Sequence, residues 1–212
     1  MPPSPDRRVL DISRPVGADT AVWPGDVPFT FDLAGRKAAG ASANVGAISG
    51  SVHTATHCDA PFHFDDAGET VDRLRPELFL GPAWVVDVRG ASAWQPRVEA
   101  LGFSATPRVL FRTGGWPDTA RFPAAIPVME PTLPGWLAAR GVFLIGVDVP
   151  SVDALDSEAL DNHHALGRAG ILIVEGLWLD DVPPGRYEFA GLPLKLVGAD
   201  ASPLRAVLVS PA

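Results

Sequence analysis

The stretch Ser51-Val52-His53-Thr54-Ala55-Thr56-His57-Cys58-Asp59-Ala60-Pro61-Phe62-His63-Phe64 holds three of the chain's five histidines. At the average histidine density, a window of this length would hold about 0.3. Two histidines four apart, a carboxylate two residues on and a further histidine have the composition of a metal-ligand cluster. His53, His57, Asp59 and His63 occupy odd positions, so a strand would present them on one face. A strand would also separate His53 from His63 by roughly 33 Å, too far for one site. Pro61 has no N–H and disfavours helix at Ala60, so it supplies a bend. The expectation is a strand end running into a helical turn or loop, with converging side chains. The alternative is a polar surface loop with scattered histidines.

The bulk properties bound the rest. A chain of 212 residues suits one domain with a substantial core, and 47% hydrophobic residues exclude disorder as the main state. A formal charge of -8, with no basic stripe, argues against nucleic acid or an anionic membrane as partner and leaves a small-molecule substrate open. Cys58 is the only cysteine, so no intrachain disulfide can form and a reducing compartment, the cytoplasm, is expected. No apolar run is long enough for a membrane span. Residues 1–8 lack an apolar signal core and read as a flexible tail.

Outward from the histidine stretch, alternation or buried aliphatic runs predict strands at residues 9–12, 29–33, 44–49, 83–88, 108–113, 141–148, 171–174, 194–197 and 205–209. Helices are expected within 91–105, at 132–140 and at 157–168. The high proline and glycine content, 22 and 21 residues, fits many short elements joined by tight turns. No internal boundary appears, so residues 1–212 read as one strand-rich α/β domain. Trp23 heads the turn Trp23-Pro24-Gly25-Asp26, where it is either core packing or an aromatic pocket wall. Cys58, between two candidate ligands, reads as a packed small residue.

Glu175 follows four large aliphatics and ends a buried strand. A carboxylate there needs water, a cation or a metal. The helix feeding that strand carries His163 and His164, and either could join it. His53, His57, Asp59, one of that pair and Glu175 make three imidazoles and two carboxylates, more than one four-coordinate zinc needs. Two metals bridged by carboxylates are the economical arrangement, with zinc, manganese or iron all suited to nitrogen and oxygen ligands. His63 is left over: it is free to move protons, or else serves as a further ligand or as a support that orients the ligands.

The pattern His53-x-x-x-His57-x-Asp59-x-Pro61-x-His63 resembles the metal-dependent cyclase family, which includes bacterial kynurenine formamidases and isatin hydrolases. Ala55 stands where that family usually has glycine. Leu10-Asp11-Ile12-Ser13, Trp23-Pro24-Gly25-Asp26, Phe111-Arg112-Thr113-Gly114, the segment 146–153, His163-His164, Val174-Glu175-Gly176-Leu177 and Leu194-Lys195-Leu196 extend the resemblance over nearly the whole chain. The resemblance implies a swivelling β/β/α fold and a homodimer. It implies two zinc ions per subunit, one on His53, His57 and Asp59, the other on one of the histidine pair, with Asp59 and Glu175 bridging; spacing to Glu175 favours His163. It implies His63 as acid/base catalyst, Trp23 as substrate contact, and hydrolysis of N-formyl-L-kynurenine to L-kynurenine and formate in tryptophan breakdown. A cyclic-amide hydrolase of the isatin hydrolase kind, or a non-catalytic metal-binding protein, is the alternative reading.

Overall fold

The computed structural model describes residues 7–102 and 107–211. In chain order the strands are β1 (Val9–Asp11), β2 (Thr30–Gly35), β3 (Val45–Ser49), β4 (His57–Asp59), β5 (Leu80–Asp87), β6 (Arg108–Arg112), β7 (Leu144–Val147), β8 (Leu172–Glu175), β9 (Gly185–Ala190), β10 (Ala201–Pro203) and β11 (Val207–Val209). The α-helices are α1 (Gln95–Glu99), α2 (Leu133–Ala138) and α3 (Asp161–Arg168). Nine strands form one sheet in the order β1-β11-β9-β5-β6-β7-β8-β4-β10, and β2 and β3 form a separate hairpin. This is the strand-rich α/β domain expected.

The centre of the sheet, β5-β6-β7-β8, is parallel, and each successive pair is linked through one of the three helices. Parallel neighbours require such crossovers, which cover a face of the sheet. Period-two alternation then divides the core. Val86, Val109, Phe111, Ile145, Val147 and Ile173 pack with Trp94, Leu133, Leu137 and Leu166 of the helical layer. Val85, Leu110, Leu144 and Val174 face the opposite layer, with Ile12, Phe79, Leu177 and Phe189. The strands of this centre are apolar on both faces because both are covered.

Antiparallel strands flank this centre. β4 pairs with β8 in the register His57↔Glu175, Cys58↔Val174, Asp59↔Ile173, and β10 closes that edge against β4. Pro203 is tolerated because β10 is an edge strand. The register puts His57, Asp59 and Glu175 on the helical face, while Cys58 is buried in the opposite layer.

Three expectations change. Residues 194–197 are not a strand: Leu194 and Val197 are exposed, and Leu194 N donates to Ser202 Oγ as a loop crosses the edge. The segment expected to turn before 205 holds β10 instead. β9 has no counterpart among the expected strands, although buried Tyr187 and Phe189 alternate with exposed Arg186 and Glu188. Of the expected helical region 91–105, residues 103–105 lie outside the described residues. So do residues 1–6 of the expected tail, whereas Arg8 N donates to Ser210 Oγ and Ser210 N donates to Arg8 O.

Candidate metal centre

The histidine stretch folds as three short pieces. Residues 51–56 turn, with Ala55 in the left-handed region at φ 58. Glycine accepts that conformation freely and alanine does not. β4 then carries His57 and Asp59, and a 3-10 turn at Pro61–His63 brings His63 back. The ring of His63 ends 4.2 Å from that of His53 and 5.6 Å from that of His163, centroid to centroid. The fold-back that strand length demands is thus made at both ends of β4.

Each of three histidines is anchored through one ring nitrogen and aims the other inward. His57 Nδ1 donates to Ala55 O at 3.0 Å, leaving Nε2 at 3.4 Å from Asp59 Oδ1 and 3.5 Å from Glu175 Oε2. His163 Nδ1 donates to Asp153 Oδ2 at 2.7 Å, leaving Nε2 at 3.5 Å from Asp59 Oδ2 and 3.6 Å from Glu175 Oε1. His53 Nε2 donates to Asp200 Oδ2 at 2.9 Å, leaving Nδ1 at 3.1 Å from Asp59 Oδ1. Anchoring the outer nitrogen fixes the tautomer and orients the inner lone pair, as in metal-ligating histidines.

Two donor triads result, sharing Asp59: His53, His57 and Asp59, and Asp59, His163 and Glu175. His57 Nε2, His163 Nε2 and both Asp59 oxygens are buried without a hydrogen-bond partner. Leaving such groups unsatisfied costs about 1–3 kcal/mol each. Two ligands on one tetrahedral zinc, each about 2.0–2.2 Å from it, lie roughly 3.4 Å apart. The observed spacings match that value, so the residues present fit bound divalent metal.

The charges point the same way. Burial opposes protonation of His57, but its contacts with Asp59 and Glu175 outweigh it and lift the pKa to about 10. For His163 burial is likewise overcome, by Asp153 and Asp59, to about 10. For His53 it is overcome by Asp200 and Asp59, to about 9. Burial would raise Asp59, yet the three imidazoles hold it well below the usual carboxylate range. Concentrated negative charge in this cluster calls for cations, whether protons or metal ions.

The remaining predicted residues fall around this cluster. His63 lies with His53, His57, His163, Glu175 and Trp23 on one cavity of about 650 Å³. Burial, aided by His53 and His163 and opposed by Asp59, lowers its pKa. Trp23 packs edge-on against Phe122 at 5.3 Å, and both rings line that cavity. His164 points elsewhere, against Phe64 at 5.8 Å, because consecutive helical residues diverge by about 100°. Cys58 faces the core, and burial pushes its thiol up.

Three supports escape the sequence reading. Asp153 accepts from Asn162 N and His163 N as well as from the His163 ring, satisfying the start of α3 while orienting its histidine. Asp200 holds His53 and lies 3.5 Å from His63 Nδ1. Arg14 is buried; its N–H donates to Thr56 Oγ1 and its guanidinium to the carbonyls of Gly176, Trp116 and Asp148. It thereby ties the residues beside His57 and Glu175 to one point. Burial lowers its pKa only to about 10, so it stays charged at neutral pH.

The Cyclase family model matches residues 10–154, and the chain belongs to that family. The kynurenine formamidase of Geobacillus thermodenitrificans is 46% identical over 200 residues, covering 94% of this chain and 96% of that protein. Among solved structures, a potential metal-dependent hydrolase with cyclase activity superposes with a TM-score of 0.82 at 27% identity, covering 97% of this chain and 99% of that one. Isatin hydrolase A from Ralstonia solanacearum superposes with a TM-score of 0.81, also at 27% identity, covering 97% and 93%.

Proposed function

We propose that this protein is a metal-dependent arylformamidase that hydrolyses N-formyl-L-kynurenine to L-kynurenine and formate, a step of tryptophan breakdown. The observation that carries the reading is the convergence of unpartnered His57 Nε2, His163 Nε2 and both Asp59 oxygens beside an aromatic-walled cavity. The 46% identity to a kynurenine formamidase over 94% of the chain supports the substrate. His53, His57 and Asp59 would hold one zinc ion; Asp59, His163 and Glu175 would hold the second. Manganese or iron suits the same donors. When bound, the metals supply Lewis acidity toward a carbonyl oxygen and lower the pKa of water toward about 7.

The chain's own groups do the rest. Trp23 and Phe122 grip the aryl ring by stacking or edge contact. The formyl carbon–nitrogen bond breaks as oxygen from water adds to that carbon. The departing aromatic amine is a poor leaving group until its nitrogen gains a proton. His63 lines the cavity with its ring 3.5 Å from Asp200 and no ring hydrogen bond among the described residues, so it is placed to deliver that proton. Its lowered pKa keeps it neutral at rest, so it takes up the proton that the attacking water gives off and hands that proton to the departing nitrogen. A protein that only stored metal has no use for such a group.

We also propose a homodimer and a cytoplasmic location. The dimer is supported by the apolar residues that β2 and β3 leave exposed, and the location by a lone buried cysteine. Among the described residues no helix is long and apolar enough to cross a membrane. The decisive assay follows N-formyl-L-kynurenine and isatin side by side at neutral pH, after chelation and after zinc is restored. Formamide hydrolysis that vanishes with the metal and returns with it is expected. Turnover of isatin alone would transfer the protein to its other structural relatives, and undiminished activity in the stripped protein would remove the metals from the mechanism.

A further inference from the structure

From the unequal anchoring of the two triads, we infer that the two cations are held with different affinities, each set by a separate outer carboxylate: Asp200 for the triad of His53 and His57, Asp153 for the triad of His163 and Glu175. The inference rests on the two-metal reading above.

The two carboxylates perform the same task in unlike surroundings. Asp153 is 5% exposed and its partner His163 3%. Three hydrogen bonds converge on the Asp153 carboxylate, from Asn162 N at 2.8 Å, His163 N at 3.1 Å and His163 Nδ1 at 2.7 Å. Glu175, the other member of that triad, is fixed by Val152 N donating to Oε1 at 2.8 Å. Neither ligand can swing without breaking buried bonds, which is expensive.

Asp200 is 40% exposed and His53 19%. Among the described residues its carboxylate receives one hydrogen bond, from His53 Nε2 at 2.9 Å, with His63 Nδ1 at 3.5 Å beside it. His53 belongs to a turn rather than to a strand or helix, and its ring lines the open cavity. Water competes there for every group, and a looser frame gives a weaker ligand. The cation on His53 and His57 is therefore the exchangeable one, and Asp200 is the positioning residue that sets how exchangeable it is.

Cobalt(II), followed by its visible absorption and by competition with a chelator, reads two stepwise affinities in the purified protein. Asp200→Asn should weaken the weaker step by about 10–100-fold and leave the tighter step in place. Asp153→Asn should weaken the tighter step. Asp200→Glu, which keeps the charge, should recover part of the loss; a purely structural lesion would not be rescued this way. Equal effects of Asp200→Asn on both steps, or none, would overturn the inference. Should either variant fail to fold, anomalous diffraction from half-stripped wild-type protein decides the matter. Metal retained between Asp59, His163 and Glu175 agrees with the inference, and metal retained on His53 and His57 refutes it. Uptake of fewer than two cations per chain at saturation would defeat the two-metal reading along with it.

Discussion

His63 differs from the other histidines of the cluster in having no anchored outer nitrogen. His53, His57 and His163 each spend one nitrogen on an oxygen acceptor and aim the other inward, whereas His63 sits only 3.5 Å from Asp200 and faces the cavity. His63→Ala should retain its metals, measured by elemental analysis, yet lose about 10²–10⁴-fold in kcat; full activity would exclude it as the proton carrier. The anchored histidines make a different prediction. His57 and His163 have folded pKa values raised to about 10 from 6.5. In chelated protein their protonated forms stabilise the fold fully below about pH 6.5, and that contribution disappears as the pH climbs through about 10. Thermal midpoints of the stripped protein should fall across that window. Zinc, which competes with those protons, should bind more tightly as the pH rises. A flat profile for both would contradict buried imidazolium ions in the cluster. At this scale the sequence is legible where ligands lie close together: His53, His57 and Asp59 share one short stretch. Asp200 lies 147 residues from His53, and no local pattern marks it. Asp153 lies ten residues before His163, too far from the start of α3 to read as its cap, and only the folding of the intervening loop brings it there.

The short elements owe their geometry to close backbone contacts. Gly176 follows β8 at φ 64, and a Cβ there would drive into the carbonyl oxygen of Ala55. Gly176→Ala should cost about 2–4 kcal/mol in urea unfolding and displace Glu175 from the cluster. Ala55→Gly, at the other side of the same contact, should be neutral or stabilising by about 0.5 kcal/mol, since it removes left-handed strain at some cost in chain entropy. Equal stability of the wild type and Gly176→Ala would show that this contact does not constrain the turn. The buried parallel strands are the most legible elements, because β6, β7 and β8 are short aliphatic runs bounded by turn residues. The edges are less so. Residues 194–197 show an aliphatic pattern but run as a loop, while β10 contains a proline that disguises it. Pairing at an edge depends on what lies alongside, which periodicity does not encode.

At the scale of the molecule the hairpin stands apart. Among the described residues β2 and β3 pair only with each other, and Phe31 and Ile48, directly opposite across it, are 59% and 70% exposed. An isolated two-stranded ribbon is marginal in water, and an apolar patch on it marks a contact surface. Phe31→Asp should convert the proposed dimer to monomer in light scattering, with the sheet unchanged by circular dichroism. A monomeric wild type would withdraw the dimer. The layering of the domain is legible from the alternation of strand and helix patterns; the detachment of the hairpin is not, since its strands read like any others.

The pairing of β4 against β8 has a consequence for how this protein can fail. The pleat gives consecutive residues opposite directions, so a slip of one position would turn His57 and Asp59 into the oily layer and offer Cys58 in their place. A chain that zips this strand one position out of step should therefore lose metal binding and activity together with its packing. Recovered activity should therefore count correctly threaded molecules one by one.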